Sequence, residues 1–371
     1  MINRELSIPQ PIPPRQFSQP QISLFDAQVD TMVRVRRARN SFQVSGAGLT
    51  VAVLDTGLRT THVDFQGKVR AQKNFTSDNN GNSDDVTDGN GHGTNVGGII
   101  VAKGIHNGIA PGANIAPLKV LANEGGGSFA MIDAALQWVL DNHHTHNISV
   151  VSMSLGSSSN DISDDDLRNE DTCKLIQKLS GLHIPVVVAA GNDYFEFKAQ
   201  GMSYPAILRE TISVGAVYDA NEGPFEYNDG AIAFSSRADQ ITPFSQRLHQ
   251  DVDATRRTDI FAPGAPVTSS GIASDRGESV QQGTSQATPV VSGVILLLQE
   301  FFLRNTGRLP SVPDIIDCLR NGGKILVDGD DENDNVPHTG KKFLRLDALS
   351  SLEIARRKLQ RSLLHQGSAL R

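Results

Sequence analysis

Cysteine, tryptophan and aromatic side chains are all scarce in this chain. Two cysteines, Cys173 and Cys318, exclude a disulfide-stapled scaffold. One tryptophan stands among 371 residues, and aromatics together make 5%. Long apolar runs are missing too. The longest, Val290 to Leu298, is broken by Ser292 and Gly293 and falls short of the ~18 residues of a membrane span. Positive charge is in deficit, with 34 Lys and Arg against 41 Asp and Glu for a net of −7. That balance excludes the basic face of a nucleic-acid binder. Met1 to Ile22 holds no apolar core of a signal peptide, which favours a cytoplasmic location. What remains, 38% hydrophobic and 20% charged, fits a soluble globular enzyme. The 34 glycines call for tight turns and close backbone contacts.

Pro9, Pro11, Pro13, Pro14 and Pro20 make the first twenty residues an extended arm with polyproline character. Leu24 to Arg39 reads as a helix with Asp26 and Asp30 early and Arg34, Arg36, Arg37 and Arg39 late. That order suits the helix dipole, and the arginines are expected to form a solvated face. From residue 49 the chain alternates apolar runs with helical stretches. Leu49 to Leu54, Ile115 to Leu121, Ile148 to Ser152, Pro185 to Ala190, Ile212 to Val217 and Ile260 to Phe261 read as strands. Gly93 to Val101, Met131 to Asn142, Leu167 to Leu182 and Val290 to Leu303 read as helices. Valine and isoleucine without alternation mark strands buried on both faces. The expected fold class is therefore α/β, a doubly wound and mainly parallel sheet with helices on both faces. In such sheets the working residues sit at the carboxyl ends of strands.

Four residues fall at such places. Asp55 ends the first strand in Val51-Ala52-Val53-Leu54-Asp55-Thr56-Gly57, and His92 opens a helix in Asn90-Gly91-His92-Gly93-Thr94. Taken singly, each is equally well a structural group. Ser285 lies in Gly283-Thr284-Ser285-Gln286-Ala287-Thr288-Pro289, at a helix N-terminus whose free N–H groups stabilise an anion. Pro289 is placed in the first turn, where its missing N–H costs nothing. Asn192 follows a strand in Ala189-Ala190-Gly191-Asn192, where its carboxamide is able to donate to a developing oxyanion.

In this order the blocks around Asp55, His92 and Ser285 resemble the subtilisin family of serine peptidases. So do Ser152-Met153-Ser154-Leu155-Gly156, Tyr204-Pro205-Ala206 and Ala262-Pro263-Gly264, and the likeness runs from about residue 40 to residue 349. The resemblance implies one large peptidase domain where length alone, at ~150 residues per domain, suggests two or three. The expected division is an arm over 1–23, the peptidase domain with its N-terminal helix over 24–349, and a basic C-terminal helix over 350–371. The resemblance further implies a serine endopeptidase in which Ser285 attacks, His92 takes its proton and Asp55 orients the imidazole, through an acyl-enzyme. Asn192 would meet the oxyanion. An extended substrate would add as a strand between Gly125, Gly126, Gly127 and Ser128 on one side and Ser154, Leu155 and Gly156 on the other. Ser154 to Gly156 and Ala189, Ala190 and Gly191 would wall the primary pocket, and Tyr204-Pro205 would be cis. A transpeptidase or peptide cyclase on the same scaffold is the alternative, although the stretch from Asp55 to His92 leaves no room for a helical cap. A non-catalytic peptide-binding module is a further one.

The pattern departs from the family at Gln286, usually Met, whose side chain is expected to point away from Ser285. It departs also at Asn95 and Val290, both commonly His. No cofactor is expected for the chemistry. Structural calcium has candidate ligands in Asp64 and in the loop carrying Asp328, Asp330, Glu332 and Asp334, where oxygen ligands alternate. Asp78 to Asp88 is a second acidic loop. The run Asp161 to Asp171 reads as negative charge in a first helical turn, and His143, His144 and His146 as an exposed helix end. Leu352, Ala355, Leu359 and Leu363 make the C-terminal segment a covering helix. Polypeptide substrates are the expected partners of a monomer without a membrane span. With too few residues ahead of the match for a separate prodomain, the arm Ile8 to Gln16 is expected to lie across or near the cleft and restrain activity until cut.

Overall fold

The computed structural model describes Leu6–Ser7 (β1) and residues 25–369. Two helices, Phe25–Val33 (α1) and Val35–Phe42 (α2), replace the single one expected over Leu24 to Arg39. The break falls on Arg34, whose backbone turns left-handed (φ 57°). Its guanidinium thereby reaches Asp347 at 2.7 Å and Ser350 at 2.7 Å. Arg39 donates to the Gly108 carbonyl at 2.8 Å. These two arginines clamp the helices to the body instead of facing solvent.

The chain continues through Thr50–Asp55 (β2), Lys73–Asn74 (β3), His92–Val101 (α3), Asn114–Lys119 (β4) and Gly126–Gly127 (β5). Phe129–His146 (α4), Ile148–Met153 (β6), Gly156–Ser157 (β7), Asp171–Gly181 (α5), Val186–Ala189 (β8) and the turn Tyr194–Phe197 (α6) follow. Next come Thr211–Tyr218 (β9), Phe225–Glu226 (β10), Ile232–Ser235 (β11), Ile260–Ala265 (β12), Val267–Ser270 (β13) and Glu278–Gln281 (β14). Thr284–Thr306 (α7), Val312–Gly322 (α8), Lys324–Val327 (β15), Asn333–Asp334 (β16), Lys342–Arg345 (β17) and Ala348–Ala369 (α9) complete it.

Among the described residues, nine strands form one sheet in the order β15-β17-β12-β9-β8-β6-β2-β4-β3. All run parallel save β15. Val51 and Val53 of β2 face a core shared with α3 and α7, while Ala52 and Leu54 face one shared with α4 and α5. Burial on both sides is why the strand reads as an unbroken apolar run. The result is one large α/β domain with helices on both faces. Because β4 and β6 flank β2 on opposite sides, the carboxyl end of β2 is a switch point of the kind where such sheets form a crevice.

α7 runs through the middle of this body. By length and composition it is apolar enough to cross a membrane, contrary to the reading of its interrupted apolar run. Yet 94% of its apolar window is buried, and it packs on α3, β6, β8, β9 and β12. α9 covers the domain with Leu352 and Ala355 buried, and Lys358 reaches Asp314 and Asp317 of α8 at 2.7 and 2.8 Å. Cys173 and Cys318 are free and buried, and burial pushes the Cys318 thiol up to about 12.

The acidic run does more than charge a helix start. Asp171 does open α5, but Asp164 is fully buried and binds Arg209 at 2.7 Å, Arg168 at 3.2 Å and Arg256. Burial alone would raise its pKa. The hydrogen bonds from Arg209 and Arg256 outweigh that and hold the carboxyl well below the usual carboxylate range. A carboxyl with a depressed folded pKa contributes stability above the ordinary carboxylate pKa and loses it as pH falls. Asp164→Asn is therefore expected to cost about 3 kcal/mol at neutral pH. Urea unfolding of wild type and variant should show that gap shrinking on acidification below about pH 4.

Candidate active site

Asp55 closes β2 at the mouth of the crevice. Its Oδ1 lies 2.8 Å from His92 Nδ1, and each side chain is 1% exposed. Gly93 permits this approach: a Cβ there would stand 2.2 Å from the Gly57 carbonyl oxygen. Thr56 seals the junction, accepting from Gly93 N–H at 2.8 Å and donating to Asp88 at 2.9 Å. Buried Asp88 in turn accepts from the N–H groups of Gly91 and Thr94 at 2.8 and 2.9 Å, tying down the first turn of α3. Lys119, fully buried at the end of β4, donates to the Thr56 carbonyl at 2.6 Å and pairs with Asp78 at 3.1 Å. Sequence reasoning placed Asp88 and Asp78 only in an acidic loop and passed over Lys119. The available signal was a lysine closing an otherwise apolar strand, since a buried ammonium needs partners.

Ser285 sits inside the first turn of α7, which begins at Thr284. Pro289 accordingly falls in the second turn, not the first. Its missing N–H leaves the Ser285 carbonyl without a helical partner. Ser154 Oγ donates to that carbonyl at 2.7 Å, and Ser285 Oγ donates back to the Ser154 carbonyl at 3.2 Å. Asn192 Oδ1 accepts from Thr284 N–H and Thr284 Oγ, both at 2.9 Å. The carboxamide is thereby turned so that its Nδ2 points elsewhere. Among the described residues, neither Asn192 Nδ2, His92 Nε2 nor Asp55 Oδ2 has a hydrogen-bond partner, and all three are enclosed. A buried polar atom without a partner is costly unless a ligand satisfies it.

The segments expected to flank a substrate lie close by. β1 pairs antiparallel with β5 (Leu6↔Gly127, Ser7↔Gly126) and with β7 (Leu6↔Ser157, Ser7↔Gly156). A strand already lies between the two edges, as the glycines at Gly125 to Gly127 allow. Ser128 also caps α4, its Oγ accepting from Met131 N–H at 3.4 Å, and Leu155 is buried in the core. Ser203 stands between the two segments expected to wall the primary pocket. A Cβ on Gly156 would be 2.6 Å from its Oγ and one on Gly191 3.2 Å from its Cβ, and its N–H donates to the Ala190 carbonyl at 2.9 Å. Its Oγ also donates to the Ala189 carbonyl at 3.3 Å. The Tyr204–Pro205 peptide behind it is cis. The arm over Ile8 to Gln16 lies outside the described residues.

Apart from Asp330, the calcium candidates already serve protein donors. Asp64 accepts from His106 Nδ1 at 2.7 Å, Ser270 Oγ at 2.6 Å and Ile105 N–H at 2.7 Å. Burial opposes its ionisation, but the bonds from His106 and Ser270 bring its pKa down to about 2. Asp328 accepts from Arg247 at 2.9 Å and from Thr339 N–H at 2.8 Å. Glu332 accepts from Ile241 and Gly329 N–H groups at 3.1 and 2.7 Å. Asp334 accepts from Val336 N–H at 3.0 Å, and Asp330 stands exposed beside Asp331 and Glu332. A cation at Asp64 or Asp328 would have to displace these donors.

A family model described as the subtilase family matches residues 46–308. The major intracellular serine protease of Bacillus subtilis (strain 168) is 33% identical over 263 residues, 70% of this chain and 70% of that protein. The cuticle-degrading serine protease of Arthrobotrys oligospora is 34% identical over 253 residues, 67% of this chain and 51% of that protein. The intracellular serine protease of Paenibacillus polymyxa is 29% identical over 265 residues, 70% of this chain and 68% of that protein. The chain thus spans about half the length of the Arthrobotrys protein and about 70% of the two bacterial ones. The family match runs from just before β2 to the end of α7, over all four motif blocks, and the chain belongs to the subtilase family as a subtilisin-like serine endopeptidase.

Proposed function

We propose that this chain hydrolyses internal peptide bonds through Asp55, His92 and Ser285 by way of an acyl-enzyme. The observation that carries the proposal is the 2.8 Å contact of His92 Nδ1 with Asp55, beside which His92 Nε2 has no hydrogen-bond partner among the described residues. Ser285 Oγ attacks the scissile carbonyl carbon while His92 Nε2 takes its proton. Asp55 holds the Nδ1–H tautomer and stabilises the imidazolium. The oxyanion receives Asn192 Nδ2–H and the Ser285 N–H, which the first turn of α7 leaves free. His92 returns the proton to the departing amine, and water then repeats the sequence on the ester. In the free protein Ser285 Oγ donates to Ser154; a substrate strand against β7 turns that hydroxyl toward His92.

The position of β1 favours a second part of this reading, that the N-terminal arm restrains the site. Leu6 and Ser7 use the same edge groups of β5 and β7 that an extended substrate would need. Two relatives carry the word intracellular in their names, which supports a cytoplasmic setting. The site residues need no cofactor for this chemistry, and the donors held by Asp64 and Asp328 speak against calcium at those two places.

Three measurements test these statements. A serine-directed phosphonyl fluoride should label wild type, and Ser285→Ala should abolish labelling and lower cleavage of an unfolded protein by at least about 10⁴-fold. Wild type that neither labels nor cleaves would sink the assignment. Removal of residues 1–10 should raise the initial rate and tighten binding of a peptide inhibitor several-fold; rates and affinities equal to those of the full chain would discard the restraint. Chelation with EGTA should leave the melting temperature within about 2 °C of the untreated protein, and a larger drop would reinstate a structural cation.

A further inference from the structure

Gln286, the residue after the nucleophile, is fully buried, and its Oε1 has no hydrogen-bond partner among the described residues. The orientation of its amide is set by a chain of donors. Its Nε2 donates to Gln281 Oε1 at 3.1 Å and to Asn95 Oδ1 at 3.4 Å. Those two oxygens are committed as acceptors. Asn95 Nδ2 donates to the Ser279 carbonyl and hydroxyl at 3.1 and 2.9 Å, and Gln281 Nε2 donates to the Gly91 carbonyl at 3.4 Å. A flipped Gln286 amide would set oxygen against oxygen on both sides. Oε1 therefore faces the other way, toward Gly283. A Cβ placed on Gly283 would lie 3.1 Å from Gln286 Oε1 and 3.1 Å from Asn192 Nδ2. An unpartnered acceptor and an unpartnered donor thus flank one glycine two residues ahead of Ser285. The side chain is held near the nucleophile, not directed away from it.

A buried carbonyl oxygen without a donor is costly, and an apolar side chain of the same length would avoid the cost. The arrangement matches a ligand that offers an acceptor and a hydrogen together. The tetrahedral intermediate formed from a peptide bond does so, with an oxyanion on carbon and an N–H on the departing nitrogen. We propose that Gln286 Oε1 accepts a hydrogen bond from that leaving-group N–H, making Gln286 a determinant of secondary-amide over other acyl substrates. The inference rests on the proposed roles of Asn192 and Ser285. In the step concerned the C–N bond breaks, its electron pair stays on nitrogen, and the new proton comes from the His92 imidazolium. Gln286 holds the hydrogen already on nitrogen and exchanges none. An ester presents an oxygen without hydrogen at this place, and an N-methylated peptide bond presents a methyl group.

The test compares wild type with Gln286→Met and Gln286→Leu, using rates normalised to sites titrated with the phosphonyl fluoride. Peptides with one acyl part are followed through three leaving groups: glycine amide, sarcosine amide and a methyl ester. The variants should lose about 10-fold in kcat/KM on the glycine amide while staying within about 2-fold on the ester. The preference for glycine over sarcosine should shrink by the same factor, a readout that mere loosening of α7 would not produce. Equal losses on amide and ester, or an unchanged glycine-to-sarcosine ratio, would overturn the role of Gln286 and leave the triad standing. Wild type inactive on all three would overturn the triad reading itself.

Discussion

The closeness of α3 to the end of β2 is the constraint on which the site depends. A strand end and a helix start cannot share a hydrogen bond between side chains as short as Asp and His unless their backbones nearly touch. The missing side chain at Gly93 allows that contact, and Thr56, Asp88 and Lys119 then convert it into a fixed junction. Each of those three side chains satisfies backbone groups that the crevice would otherwise leave bare. The rigidity of Asp55 and His92 is therefore owed to polar neighbours that never meet a substrate.

Much of this was legible in the amino-acid order because the parts are local. Asp55, His92, Asn192 and Ser285 each sit in a motif of a few residues whose glycines announce a turn or a close approach. The alternation of buried strands and helices is likewise written in short windows. What escaped is pairing across long stretches of chain. Asp64 meets His106, Asp164 meets Arg209 and Arg256, and Arg34 meets Asp347. In every case a charged residue read as solvated, as a calcium candidate or as dipole-related meets a side chain far away in sequence. Local composition reports that a charge exists, whereas tertiary placement decides what pays for its desolvation.

The misplacement of Pro289 by one turn is instructive in the same way. A proline in the second turn of α7 removes one helical hydrogen bond, which by itself weakens the helix. The carbonyl so released belongs to Ser285, and the hydroxyl that takes it belongs to Ser154, in the segment leading to β7. The defect in the helix and the anchoring of the cleft wall are one event. Position along a helix, which sequence periodicity locates only to within a few residues, here determines which carbonyl becomes available and so which two segments are stitched together.

The strand β1 between β5 and β7 has a consequence of a different kind. Its tie to the edges is made through backbone groups and it belongs to the same chain, so its local concentration is set by the length of the tether rather than by the amount of protein. On the proposed restraint, dilution cannot empty a cleft filled in this way. A peptide that competes for the same edges would then meet a neighbour that never diffuses away, at the lowest abundance of the protein as at the highest.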